Sequence, residues 1–287
     1  MYDLHLHSTY SDGDIAPAEV VRKAIERGLS GVSLTDHNGV WGVTEAAAAA
    51  EQLGAAYVEG IEISVREAGR DIHVLGYSRR FDREVLRNGL HEQLVGYTAR
   101  MEEIVRRCRS AGYDRVTAAA VRALRRGQTD PCHLSYDVGR VLMRLHGLSA
   151  ATARAMVTGT GSCAVPYGSW ALDAAAAVAL LHAAGGAAVW AHPGLVLKDA
   201  GEEVFTTVLT ALTAAGVDGL EVYHPYHSSA ALQRLSRAAA ERHWLVTGGS
   251  DWHGPDRYGE SDRAFGEVGV KEKEFQLLME SIDRIRS

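Results

Sequence analysis

The sequence predicts an α/β barrel of seven strands, interrupted by one helical insertion. Three observations lead there. Short apolar runs alternate with helical patterns, the rhythm of βα units around a parallel sheet. A glycine follows a helical pattern and precedes a strand at Gly28, Gly54, Gly185 and Gly216, where helix ends are commonly capped. The rhythm stops near Phe81 and resumes after Pro166. A chain of 287 residues suits one barrel, since such folds run to roughly 250 residues before insertions.

Taken in order, the strands are expected at Tyr2–Leu6, Gly31–Thr35, Ala56–Ile61, Ile72–Gly76, Ala187–Ala191, Gly219–Tyr223 and Trp244–Gly248. The first helix starts at Pro17, whose missing N–H costs nothing in a first turn, and the second follows Thr44 through the alanines of 46–50. Residues 81–165 are Arg-rich and helical, with helices expected at 84–111, 117–125 and 136–145 and no strand-like run between them. They form an expected cap or lid on a barrel built from 1–80 and 166–287.

Composition narrows the function. A hydrophobic share of 46% supplies a core, and no apolar run nears the roughly 20 residues of a spanning helix. Asp3 stands where a secretory leader would be basic and then apolar, so no membrane partner is expected. The net charge is −6 and basic clusters are confined to Arg106-Arg107-Cys108-Arg109 and 122–126, which argues against an electrostatic nucleic-acid binder. Cys108, Cys132 and Cys163 make no Cys-x-x-Cys pair, the pattern of a reduced, cytoplasmic protein.

The unusual number is 13 histidines against 4 phenylalanines. Most stand at the ends of expected strands, the rim where barrel sites are built. Strand alternation points His5 and His7 of His5-Leu6-His7 to one side, and Asp12 follows in Ser11-Asp12-Gly13. Thr35-Asp36-His37, Gly60-Ile61-Glu62, Ile72-His73-Val74, Ala191-His192-Pro193 and Ser250-Asp251-Trp252-His253 complete the set. Asp12, Glu62, Asp251, His5, His7, His37, His73, His192 and His253 are nine nitrogen and oxygen ligands, too many for one ion and suited to two or three sharing carboxylates. Imidazole with carboxylate and without thiolate favours Mn, Fe or Zn.

These motifs, read together from Asp3 to His253, closely resemble the polymerase-and-histidinol-phosphatase (PHP) family of metal-dependent phosphoesterases. The resemblance implies a distorted (β/α)7 barrel with a trinuclear centre. Carried over by position, His5, His7, Glu62 and Asp251 would hold the first ion; Glu62 would bridge to a second on His73 and His192; Asp12, His37 and His253 would hold the third. The implied chemistry is hydrolysis of a small metabolite's phosphate ester, such as a nucleotide, bisphosphate or sugar phosphate, by a metal-bridging hydroxide. Glu62 is then catalytic, and His224 or His227 are candidates to protonate the leaving oxygen.

The departure from the family lies in the insertion. Where members acting on small phosphomonoesters often carry Arg-x-His and later Gly-Lys-Pro, this chain has Ser135-Tyr136-Asp137 and Gly161-Ser162-Cys163. Arg140 and Arg257 remain as basic candidates for the substrate, with Ser135 and Asp137 at the altered positions. The loss leaves an alternative open, iron-dependent oxidative or other non-phosphate chemistry on a less anionic substrate. A vestigial binding module is a third class, which the complete ligand set disfavours.

Overall fold

The computed structural model describes residues 1–125, 135–255 and 264–286. Among these residues eight strands form two sheets. The first is parallel, with β1 (Tyr2–Leu6), β2 (Gly31–Leu34) and β3 (Ala56–Tyr57) in that order. The second runs β4 (Glu59–Glu67), β5 (Arg70–Ser78), β6 (Ala187–Trp190), β7 (Gly219–Tyr223) and β8 (Leu245–Gly248). Around them lie α1 (Pro17–Glu26), α2 (Val43–Gln52), α7 (Ala174–Ala183), α8 (Pro193–Ala215), α9 (Ser229–Arg242) and α10 (Glu272–Arg286).

The expected distorted (β/α)7 barrel is met as an α/β fold, while its seven strands in βα order are not. The run Ala56–Ile61 is not one strand: β3 ends at Tyr57, and β4 begins at Glu59 and turns back as a hairpin. Ala68 and Gly69 both take positive φ, 49° and 73°, the left-handed pair that a two-residue hairpin turn requires. In the second sheet β4 and β6 each pair antiparallel with β5, and β6, β7 and β8 run parallel to one another. Single bridges, His37 with Glu62 and Leu6 with Trp252, join the sheets, and no continuous ladder closes a barrel among the described residues.

Period-two alternation then decides which face carries chemistry. Ile61, Ile63 and Val65 of β4, Ile72 and Val74 of β5, and Leu220 and Val222 of β7 enter one core with Trp190, Phe205 and α7 to α9. Glu62, His73 and Glu221, between those residues, project from the opposite face. On β1, Tyr2 and Leu4 pack against α10, while Asp3 and His5 alternate away from them.

Within residues 81–165, expected as an insertion, the described helices share a separate hydrophobic cluster. The last three turns of α3 (Arg83–Ser110) pack on α4 (Ala118–Arg122), α5 (Ser135–His146) and α6 (Ala150–Val157), around Ile104, Val138, Leu142 and the free, buried Cys108 and Cys163. α3 is docked to the strand ends by polar contacts. Gln93 of α3, buried, donates to Asn38 Oδ1 at 2.6 Å and to the Ser64 carbonyl at 3.1 Å, and its Oε1 accepts from Leu172 N at 2.9 Å.

Candidate metal centre

The ligand-bearing segments leave the strand ends under tight local control. Asp36 accepts from Ser8 N at 2.8 Å, from Ser8 Oγ at 2.6 Å and from Ser11 Oγ at 2.6 Å, which folds the segment after β1 back so that Asp12 faces His7. Gly249 passes so close to β1 that a Cβ there would lie 2.4 Å from the backbone N of His5, so only glycine brings the following residues in. Ser250 N then donates to Asp3 Oδ1 at 3.0 Å and Asp251 N to the His5 carbonyl at 2.9 Å. Asn38, His192 and Asp251 all hold positive φ, 55°, 33° and 53°. Such backbone costs of order 1–3 kcal/mol per residue and persists where the surroundings over-determine it, commonly at functional sites.

All nine expected ligands come together. His7, Asp12, His37 and His253 form one group, His5, His7, Glu62 and Asp251 a second, and His37, Glu62 and His73 a third, each with its donor atoms within 4.8 Å of one another. His192 joins the last through Nε2, 3.1 Å from Glu62 Oε1 and 3.2 Å from His73 Nδ1. Glu62 is the hub: its Oε2 lies 3.4, 3.2 and 3.2 Å from His5, His7 and His37, and its Oε1 lies 2.8 Å from His73 Nδ1.

The donor set fits divalent cations. His5 Nε2, His7 Nε2, His37 Nδ1, His253 Nε2 and Glu62 Oε2 are buried with no hydrogen-bond partner, a costly state unless a cation satisfies them. Their far ends are held. His5 Nδ1 lies 2.9 Å from Glu221 Oε1, His253 Nδ1 donates to the Asp251 carbonyl at 2.6 Å, and His7 Nδ1 lies 3.3 Å from Ser11 Oγ. Each contact turns the other ring nitrogen inward.

The electrostatics follow from crowding carboxylates and imidazoles in a dry space. Burial alone would raise the Glu62 carboxyl, but His37, His73 and His5 outweigh it and hold it well below the usual range. Asp251 is likewise held low against its burial by His5, His224 and His7. Burial pushes His37 down to about 4. In His7 the burial penalty is overcome by Asp251 and Glu62, and its pKa rises to about 9; in His73 Glu62 and Tyr167 carry it to about 10.

Sequence reasoning left two carboxylates without a role. Glu221 is fully buried, and its two oxygens take His5 Nδ1 and, at 2.7 Å, the backbone N of His192. Its signal was an acid inside the apolar run Leu220-Glu221-Val222. Asp36, inside Thr35-Asp36-His37, carries no such signal, being one polar residue at a strand end.

The other expected site residues divide. The backbone N of Tyr226 donates to His224 Nδ1 at 3.3 Å, so the neutral ring carries its proton on Nε2, 3.5 Å from Asp251 Oδ2. His227 is spoken for at both nitrogens: Gly194 N donates to Nε2 at 3.1 Å and Nδ1 donates to the Val222 carbonyl at 2.8 Å. The acid role suggested for it is therefore corrected to a structural one. Arg140 does not reach for a substrate either, since its Nη2 lies 3.3 Å from Oδ1 of buried Asp14, as does the Tyr136 hydroxyl. Asp137 is fully buried in the first turn of α5, a favourable end of the helix for a carboxylate, and Ser135 begins that helix. Arg257 lies outside the described residues. Asp251 and His253 open onto a cavity of about 490 Å³, and neither Ser135, Asp137 nor Arg140 lines it.

No helix among the described residues is long and apolar enough to cross a membrane. A family model, the PHP domain, matches residues 3–146. The chain is 32% identical over 88% of its length, and 90% of the other, to a 5'-3' exoribonuclease of Haemophilus influenzae. It is 31% identical over 92% of its length, and 90% of the other, to a 3',5'-nucleoside bisphosphate phosphatase of Chromobacterium violaceum. The solved structure of a candidate metal-dependent phosphoesterase from Bifidobacterium adolescentis superposes with a TM-score of 0.83 at 26% identity, over 97% of this chain and 95% of that one. With the ligand motifs gathered in one buried cluster and relatives matched along nearly their whole length, the chain belongs to the PHP domain family.

Proposed function

We propose that this protein hydrolyses a phosphate ester of a small metabolite, a nucleotide, bisphosphate or sugar phosphate, using two to three divalent ions of Mn, Fe or Zn held by the nine clustered side chains. The observation that carries the reading is the convergence of those donors, several buried without a partner, with Asp251 and His253 lining a cavity of about 490 Å³. When bound, such ions polarise the phosphoryl oxygens and lower the pKa of a water nucleophile. His5, His7, Glu62 and Asp251 are assigned to one ion, His73 and His192 with Glu62 to a second, and Asp12, His37 and His253 to a third.

The protein's own groups do the rest. As the ester P–O bond breaks and water's oxygen joins phosphorus, the leaving oxygen needs a proton. His224 carries one on Nε2, facing the cluster, and is the assigned acid. Helices α3 to α6 serve as a cap that excludes water, anchored by Gln93 at one end and by the Asp14 contacts to Tyr136 and Arg140 at the other.

A second reading is favoured by the Haemophilus relative, whose name is that of an exoribonuclease. Net charge of −6 speaks against holding a long phosphate backbone but is silent on a pocket that takes one phosphorylated RNA end. The sequence-based exclusion of nucleic acid is therefore withdrawn. The oxidative alternative gains nothing from these relatives, which are named for phosphate-ester cleavage.

The reading is tested by phosphate release from a panel of nucleotides, nucleoside bisphosphates and sugar phosphates with added Mn, before and after treatment with a chelator. Release that depends on the metal is expected. Release unaffected by the chelator, or none from any member, would overturn the proposal.

A further inference from the structure

Each ligand histidine turns one ring nitrogen toward the cluster, and whatever meets the other nitrogen decides how firmly the ring is aimed. For His73 the inward atom is Nδ1, 2.8 Å from Glu62 Oε1 and 3.2 Å from His192 Nε2. Its outward atom, Nε2, lies 3.4 Å from the hydroxyl of Tyr167. An ion takes the lone pair of Nδ1, which leaves the ring's proton on Nε2, so the imidazole donates and the phenol oxygen accepts. The phenol's own proton is left for Ser64 Oγ, 3.5 Å away. That hydroxyl is fixed in turn, since Asn38 Nδ2 donates to it at 3.2 Å and Gln93 of α3 donates to Asn38 Oδ1.

Tyr167 belongs to no strand. It stands on the segment between α6 and α7, by which the chain returns from the cap to the sheets, and α3 holds it there. The ring of buried Tyr97 meets the Tyr167 ring edge-on with centroids 5.5 Å apart, and the Arg100 guanidinium lies over it at 5.2 Å. Arg100 Nε also donates to the Val165 carbonyl at 2.6 Å, which ties the backbone of the same segment to α3. The approach is close: a Cβ on Gly96 would lie 2.1 Å from the Trp170 ring. From the sheet, Arg66 Nη1 donates to the Tyr167 carbonyl at 3.1 Å. By contrast, His5, His7 and His253 are aimed by Glu221, Ser11 and the Asp251 carbonyl, which belong to the strands and the segments that follow them.

We propose that Tyr167 is a positioning residue for the ion assigned to His73 and His192, and that α3, by holding Tyr167, sets how tightly that ion is kept. This rests on the metal-centre reading and deepens it. Without the phenol oxygen, His73 Nε2–H loses its acceptor and the ring is no longer held with Nδ1 inward. The loss falls on one ion, because the groups that aim His5, His7 and His253 are untouched. The cap then acts on the centre's metal content as well as on its access to water.

The experiment measures Mn binding to the chelator-stripped, full-length protein by equilibrium dialysis, in wild type, Tyr167→Phe, Arg100→Met and the double variant. The thermal midpoint of each metal-free protein is recorded beside it. Tyr167→Phe keeps the ring and its packing and removes only the hydroxyl. It is expected to weaken one ion about tenfold, the lower end for removing a group that orients a histidine ligand, with the other ions and the metal-free midpoint unchanged. Arg100→Met should weaken the same ion, and the double variant should lose no more than Tyr167→Phe, since both act through one phenol. Excess Mn should refill the site in all three. Wild-type affinity for every ion in Tyr167→Phe overturns the proposal, and so does a uniform loss of all ions with a lowered midpoint, which would make Tyr167 a packing residue. Wild-type affinity in Arg100→Met, or additive losses in the double variant, overturns the part given to α3. Fewer than one ion in the wild type overturns the metal centre itself and this inference with it.

Discussion

Replacing Glu62 with glutamine is expected to lower turnover by on the order of 1,000-fold, the upper range for removing one preorganised electrostatic group, while the chain still folds. The reason is the number of partners that one carboxylate serves. Five imidazoles, those of His5, His7, His37, His73 and His192, lie within 3.4 Å of its two oxygens. Glutamine keeps the shape but loses the charge that ties the three ligand groups together, and one of the two oxygens becomes an amide nitrogen that cannot bind a cation. Circular dichroism and gel filtration should match wild type, because the strand's apolar side, Ile61 and Ile63, is untouched. Bound metal should fall together with activity. Full activity in Glu62→Gln would mean that the carboxylate does not share the ions.

Glu221→Gln is expected to weaken metal binding by 10- to 100-fold, the usual consequence of removing a carboxylate that orients a histidine ligand. Glu221 touches none of the assigned ion positions directly. It acts through His5, whose Nδ1 it holds at 2.9 Å, and through the backbone of His192, whose N it accepts at 2.7 Å. Burial would push its carboxyl up, but His5, His224 and His192 overcome that and hold it lower than usual, so the native group is a charge rather than a neutral acid. The amide variant can still accept from one partner and keeps the packing. Titration of Mn into wild type and variant measures the effect, and added metal should restore much of the variant's turnover. Equal affinities would make Glu221 a buried acid with no bearing on the centre.

Much of the site could be read from the chain because its chemistry is carried by residue types that strands seldom bury. His5, Glu62 and His73 stand out between apolar neighbours, and alternation assigns them to one face before any coordinates exist. The apolar runs fixed β1, β2 and β6 to β8 nearly to the residue. The hairpin of β4 and β5 escaped because its outer turns, Arg66-Glu67 and Arg70-Asp71, are charged and read as loop, while their pairing depends on Ala68 and Gly69 adopting positive φ. The sheet split escaped for a similar reason. Two residues of β3 are a strand only through their pairing with β2, and the seam that follows is set by single bridges rather than by composition.

Residue roles were harder than residue identities. His224 and His227 are alike in sequence, and only the backbone groups that meet their rings separate a histidine with a proton facing the cluster from one locked at both nitrogens. Arg140 is a basic residue like any substrate cation in sequence, and only the fold sets it against Asp14.

The measurement that bears most directly on the account is the number of metal ions retained by the wild-type protein, purified without oxygen, stripped with a chelator and dialysed against Mn. The account predicts two to three ions per chain, with phosphate release that vanishes on stripping and returns on reloading. Fewer than one ion per chain, in a protein that still cleaves phosphate esters, would contradict it.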